Sequence, residues 1–312
     1  MERKTQTKPI FELLVLLLVL FNAGPAQAQD LEPRRWSHLP VGLNVIGAGL
    51  GTSSGEIFID PVLLIEDVTF DLHVAGLSYV HSFGLFSKSA RIDVTIPYAS
   101  GRWEGYVDGV YTSVRRRGMV DPRVRFSVNL YGAPALKGKE FLQYRAQNQS
   151  NTTIGAAISV KIPLGEYSNE NLINLGSNRF IVRPQLGVLH QRKNWQIELT
   201  GSVLLFQTND DFWKGTEHQQ DPLWFIQSHA IYEIKPGLWA SLSAGFAHGG
   251  RSRIDGVPKV NDQRTRYVAA SVGTAIGKNQ SLKLAYVAIR TNTSFGRDLD
   301  TFLLGWSYRW AR

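Results

Sequence analysis

The stretch Thr301-Phe302-Leu303-Leu304-Gly305-Trp306-Ser307-Tyr308-Arg309-Trp310 decides the fold. Phe302, Leu304, Trp306, Tyr308 and Trp310 alternate with Thr301, Leu303, Gly305, Ser307 and Arg309. A period of two sends all the aromatic side chains to one face of an extended strand. The pattern recurs upstream. Ile92, Val94 and Ile96 interleave with Arg91, Asp93 and Thr95, and Val124, Phe126, Val128 and Leu130 with Arg123, Arg125, Ser127 and Asn129. Ile154 to Ile162 alternates the same way, and Trp195, Ile197, Leu199, Gly201, Val203 and Leu205 face away from Gln196, Glu198, Thr200 and Ser202. One face of each strand is apolar and the other polar or small, the pattern of a barrel with lipid outside and a polar lumen.

Weaker candidates at about 41–50, 70–83, 179–189, 224–233, 238–247, 266–276 and 280–289 bring the strands to about twelve. The connections alternate in length, as expected where short periplasmic turns oppose longer external loops. Short ones fall near 84–89, 190–193, 234–237 and 277–279; long ones near 51–69, 98–122, 164–178, 207–223, 248–265 and 290–299. The connection 132–152 is long where a short one is due, and Phe141 to Ala146 within it suits a short helix capping that end. Trp195, Trp224, Trp239, Trp306 and Trp310 lie near strand ends, where aromatic girdles meet the membrane surface. A large soluble β-sandwich or lipocalin-like barrel would share the alternation but explains neither the girdles nor the loop lengths.

Composition agrees. Gly (29), Trp (8), Tyr (11) and Phe (15) suit strands and turns, and the charged fraction, 19%, is below the roughly 25% usual in soluble domains. Arg3, Lys4 and Lys8 precede an apolar run from Ile10 to Phe21, and Ala26-Gln27-Ala28 follows, the three-part form of a cleaved signal peptide. The expected organisation is a leader over 1–28, a segment over 29–39 that is periplasmic or a plug, and an all-β transmembrane antiparallel barrel over 40–312. With no cysteine, disulfides and thiolate sites are excluded. The net charge of +8 in an exported chain points to anionic lipid, lipopolysaccharide or anionic solutes as partners and away from nucleic acid.

The faces opposite the apolar ones carry Arg91, Asp93, Arg123, Arg125, Lys161, Arg179, Arg183, Glu198, Glu233, Lys283 and Arg309. As lumen-lining groups they either focus positive potential that favours anionic solutes, or pair across strands and fill the lumen. The seven histidines have no HExxH or close-pair spacing, so neither a metal nor a cofactor is expected. His218 near Asp210, Asp211 and Asp221 raises the thought of a membrane-embedded hydrolase, but there is no Gly-x-Ser-x-Gly elbow, and acidic loop residues are common by default, so no catalytic residue is assigned.

Several segments resemble a family of outer-membrane, transporter-like proteins assigned to the meta-pathway of phenol degradation. They are Pro40 to Asn44, Asp60-Pro61 with Ile65-Glu66-Asp67, Tyr98 to Trp103, Gly118-Met119-Val120-Asp121-Pro122-Arg123-Val124-Arg125-Phe126, Gly132 to Leu136, Pro163-Leu164-Gly165-Glu166-Tyr167, Leu172 to Arg179 and Gln280 to Tyr286. The resemblance implies an outer-membrane barrel, assembled by the barrel assembly machinery, that passes small hydrophobic or aromatic compounds, anionic ones among them. It brings no catalytic residue. A non-transporting surface or structural protein is the alternative. In one departure from the usual aromatic terminus, Trp310 is followed by Ala311 and Arg312.

Overall fold

A computed structural model describes residues 31–58, 65–107, 109–293 and 296–311. The expected leader over 1–28 and Asp60-Pro61 lie outside the described residues. Twelve antiparallel strands close on themselves. In chain order the wall is β1 (Leu43–Phe58), β2 (Ile65–Leu85), β3 (Lys88–Val107), a strand broken into β4 (Val110–Met119) and β5 (Arg123–Tyr131), β6 (Ser150–Lys161), β7 (Ile181–Arg192) and β8 (Trp195–Phe206). It continues, past β9 (Asn209–Phe212) and β10 (Thr216–Gln220), with β11 (Leu223–Lys235) and β12 (Leu238–Gly249). After β13 (Ser252–Ile254) and β14 (Val257–Pro258) come β15 (Gln263–Ala275), β16 (Gln280–Thr291) and β17 (Gly296–Ala311). Closure is the pairing of β1 with β17, from Leu43 opposite Ala311 to Phe58 opposite Gly296.

The alternation is realised as read. Leu50, Leu77, Leu186, Leu242, Val268, Leu284 and Phe302 stand exposed on the outside, while Asp93, Arg125, Ser159, Glu198, Thr200 and Ser271 are buried inside. A continuous exposed apolar belt is stable only against lipid. Short turns join the strands at the end that holds Leu43 and Ala311. At Pro236-Gly237 the glycine takes φ +82, which a tight reversal requires and L side chains resist.

Two local readings need correction, while the short helix expected within 132–152 is present. Much of 51–69 and 98–122 is strand, because β1 to β4 continue beyond the belt as paired hairpins. There the outward face is polar, with Thr69, Asp71 and His73 exposed, while Val68, Phe70 and Leu72 turn inward, so the alternation of a membrane strand is inverted. Trp239 does not join a girdle: it shares the inward parity of Ser241 and Ser243, and Arg34 lies over its ring at 5.2 Å. Between β5 and β6 the chain forms α1 (Gly138–Gln147), with Glu140 in its first turn and Arg145 in its last, charges that suit the helix dipole.

The external loops are folded. β14, β13, β10 and β9 form a four-stranded sheet over Phe212, Trp213 and Ile254. His218 on β10 is buried in it, ring against Phe212 at 4.9 Å. It is therefore no solvent-reached base, and burial, together with the charge of Arg179, pushes its pKa down to about 3.

Candidate solute pathway

Inside the wall the chain before β1 doubles back into the lumen. Trp36 is 1% exposed, and its indole nitrogen donates to the Thr200 hydroxyl at 2.7 Å. The backbone N–H groups of Arg35 and Trp36 point at the Glu198 carboxylate, at 3.3 and 3.5 Å. The sequence makes room for the ring: a Cβ on Gly187 would stand 1.9 Å from the indole nitrogen, and one on Gly155 2.3 Å from the ring edge. Facing glycines on β6 and β7 are thus a socket for one tryptophan. His38 closes the periplasmic end, its Nε2–H donating to Pro134 O (2.7 Å) beside Phe141 and Tyr144 of α1.

The charged groups are mostly paired. Asp93 is approached by Arg91 at 3.3 Å, Arg125 at 3.4 Å and Arg35 at 3.7 Å. Glu32 takes Arg35 and, at 3.3 Å, Lys283. Arg125 also donates to Gln185 at 2.8 Å and lies 5.0 Å over the Trp36 ring. Arg183 bonds Ser202 at 3.0 Å and covers Phe225. Arg123 and Lys161 lie opposite each other on β5 and β6, both with inward parity. Arg179, just before β7, reaches Gln220 at 2.5 Å under the external sheet. Glu233 keeps inward parity near the periplasmic end of β11. Arg309 has inward parity but is exposed at the periplasmic rim, where it bonds Lys278 O; it lies beyond the enclosed lumen because the wall ends there.

Toward the outside the inward surface becomes apolar. Phe70, Leu72, Trp103, Leu204, Phe225, Tyr267, Ile289 and Leu299 form one cluster, and Leu31, Ile173 and Leu175 pack into it from the lumen side. Ile173 and Leu175 sit in the 162–180 connection, held by Asp121. Its carboxylate accepts from the Gly165 N–H at 2.9 Å and the Ser177 N–H at 2.8 Å. Beside the charged layer a cavity of about 340 Å³ remains against β1, β2, β16 and β17, lined by Gly47, Gly49, Gly76, Gly305, Ser281 and Lys283 among others.

Sequence reasoning found the charged inward groups. It missed Trp36, Glu32 and Arg35, which precede any strand and carry no periodic signal, and it missed the apolar outer half of the lumen. The glycines opposite one another on β6 and β7 were the available hint. Among the described residues no cluster of metal-ligating groups occurs.

A closed antiparallel barrel with a lipid-facing belt and a polar, partly filled interior defines a β-barrel of the outer-membrane class. The chain belongs to the family described as "Putative MetA-pathway of phenol degradation", whose model matches residues 54–307. Among solved structures it is similar to an outer membrane channel from Pseudomonas putida F1, at 19% identity and a TM-score of 0.73, over 89% of this chain and 99% of that one. The transport unit of the autotransporter AIDA-I from Escherichia coli shares the fold at 10% identity and a TM-score of 0.55, over 95% of this chain and 97% of that one. No curated protein matches the chain.

Proposed function

We propose that the protein resides in the outer membrane as a channel for small hydrophobic or aromatic compounds, anionic ones included, and that the segment 31–39 narrows its lumen. One observation carries the reading: the lumen is divided into an apolar outer half and a charged inner half, with the 340 Å³ cavity between its wall and the inserted segment. An aromatic acid has the same two parts. A benzene ring fits an apolar cavity of roughly 150 Å³, so one ring with a carboxylate is within the available size. The cavity wall carries Lys283, Arg123 and Arg35 against Glu32 and Asp93, a positive balance that suits such an anion. The family description and the likeness to an outer membrane channel agree with this.

The test is single-channel conductance of the mature chain in a planar bilayer, with and without benzoate. Small currents that benzoate reduces are expected, and a chain lacking residues 31–38 should conduct several times more. The filled lumen also suits a sealed structural barrel. Silence from both the full and the shortened chain, each shown to be inserted, would select that reading.

A further inference from the structure

The outward faces of β12, β15 and β16 are apolar along most of their length, with Leu242 and Phe246, Val268 and Val272, Leu284 and Tyr286 all exposed. At their extracellular ends the same faces change to His248, Arg264, Arg266 and Arg290, also exposed. The ladder places His248 opposite Arg264 and Arg266 opposite Arg290. Asp300 fixes Arg290 through two bonds of 2.9 and 3.0 Å. Arg266 donates to the Asn292 side-chain oxygen at 2.8 Å. Among the described residues no carboxylate pairs with Arg264 or Arg266. Three guanidiniums against the carboxylates of Asp300 and Asp298 therefore leave surplus positive charge at the outer edge of the lipid belt.

A groove continues the same row. Across the strands Leu186 faces Gly201, Gly201 faces Ile226, Ile226 faces Phe246 and Phe246 faces Arg266. A Cβ on Gly201 would meet nothing within 4 Å. The space there, about 530 Å³, is walled by Leu186, Trp224, Ile226 and Phe246. A solute pathway through the lumen needs neither feature. A phosphorylated lipid needs both, because guanidinium groups match phosphate oxygens in pairs and an acyl chain needs an apolar furrow.

We propose that this surface seats one phosphorylated, multiply acylated glycolipid of the outer leaflet, with its phosphate on Arg264, Arg266 and Arg290 and an acyl chain lying over Gly201. The proposal rests on the outer-membrane reading and is independent of conduction, so a silent barrel would leave it standing. The test uses the full mature chain in detergent, with bisphosphorylated lipid A, the same glycolipid stripped of phosphate, and inorganic phosphate as probes. Binding is read by native mass spectrometry and by heat-dependent gel mobility, which also reports that each variant is folded. Lipid A should bind, and the dephosphorylated form should bind at least about tenfold more weakly. R264Q/R266Q should weaken lipid A roughly thirtyfold, the equivalent of about 1 kcal/mol for each basic group at an anionic surface. G201L, which fills the furrow, should weaken it with the arginines intact. Equal binding of the dephosphorylated lipid, unchanged binding by folded variants, or full displacement by inorganic phosphate would overturn the proposal.

Discussion

The indole of Trp36 occupies a space that exists only because positions 155 and 187 carry no side chain. Trp36→Ala should lower barrel stability by about 3–5 kcal/mol, the usual cost of removing a buried aromatic ring, seen as an earlier loss of heat-resistant mobility. Gly187→Val leaves Trp36 in place chemically but not sterically, so it should reproduce the conductance rise of the shortened chain. At the other end, His218 is held neutral inside the external sheet. Its folded pKa, about 3, lies below the ordinary 6.5, so the folded cap resists a proton that the opened cap accepts. The stabilisation is therefore complete above pH 6.5 and declines as pH falls toward 3, by up to about 1.4 kcal/mol per pH unit. Protease cutting within 207–222 should increase between pH 7.5 and pH 4.5, and His218→Gln should flatten that dependence; equal flatness in the parent chain would contradict it.

At the level of elements, the break between β4 and β5 is the most instructive. Val120-Asp121-Pro122 interrupts a strand, since proline has no N–H for the ladder and Asp121 turns its carboxylate to the 162–180 connection instead. Three segments that carry the family resemblance in sequence, around Asp121, Gly165 and Ser177, meet at this one carboxylate. Asp121→Ala orphans two backbone donors and should cost on the order of 3 kcal/mol locally. Limited proteolysis within 164–178 should speed up, and conductance should rise as Ile173 and Leu175 leave the lumen. The sequence marked these stretches as important but gave no reason, because their partners are distant along the chain. Strand positions inside the belt were legible because lipid on one side and a packed lumen on the other impose period two. Beyond the belt the apolar residues of β3 and β4, Ala99, Trp103 and Val114, turn inward while the outward face is largely polar, so the lipid-facing signal faded where the constraint did.

For the whole molecule, the inward charges were readable by parity, but whether they stay unpaired or neutralise one another was not. The answer came from Glu32 and Arg35, groups outside the barrel pattern that add a carboxylate beside Lys283 and a guanidinium beside Asp93. Residue type, not parity, misplaced Trp239: its aromatic character near a strand end suggested the girdle, although its register sends it inward. The pairing of β1 with β17 has a consequence in time. The cavity beside the inserted segment is walled mainly by the first two and the last two wall strands, β1, β2, β16 and β17, with Asp93 of β3, Arg123 of β5 and Ser271 of β15 at its margins. The strands of that wall come from opposite ends of the chain, so until β1 meets β17 the folding barrel has an open edge and the chamber lacks a wall. The chamber comes into being at the moment the barrel closes.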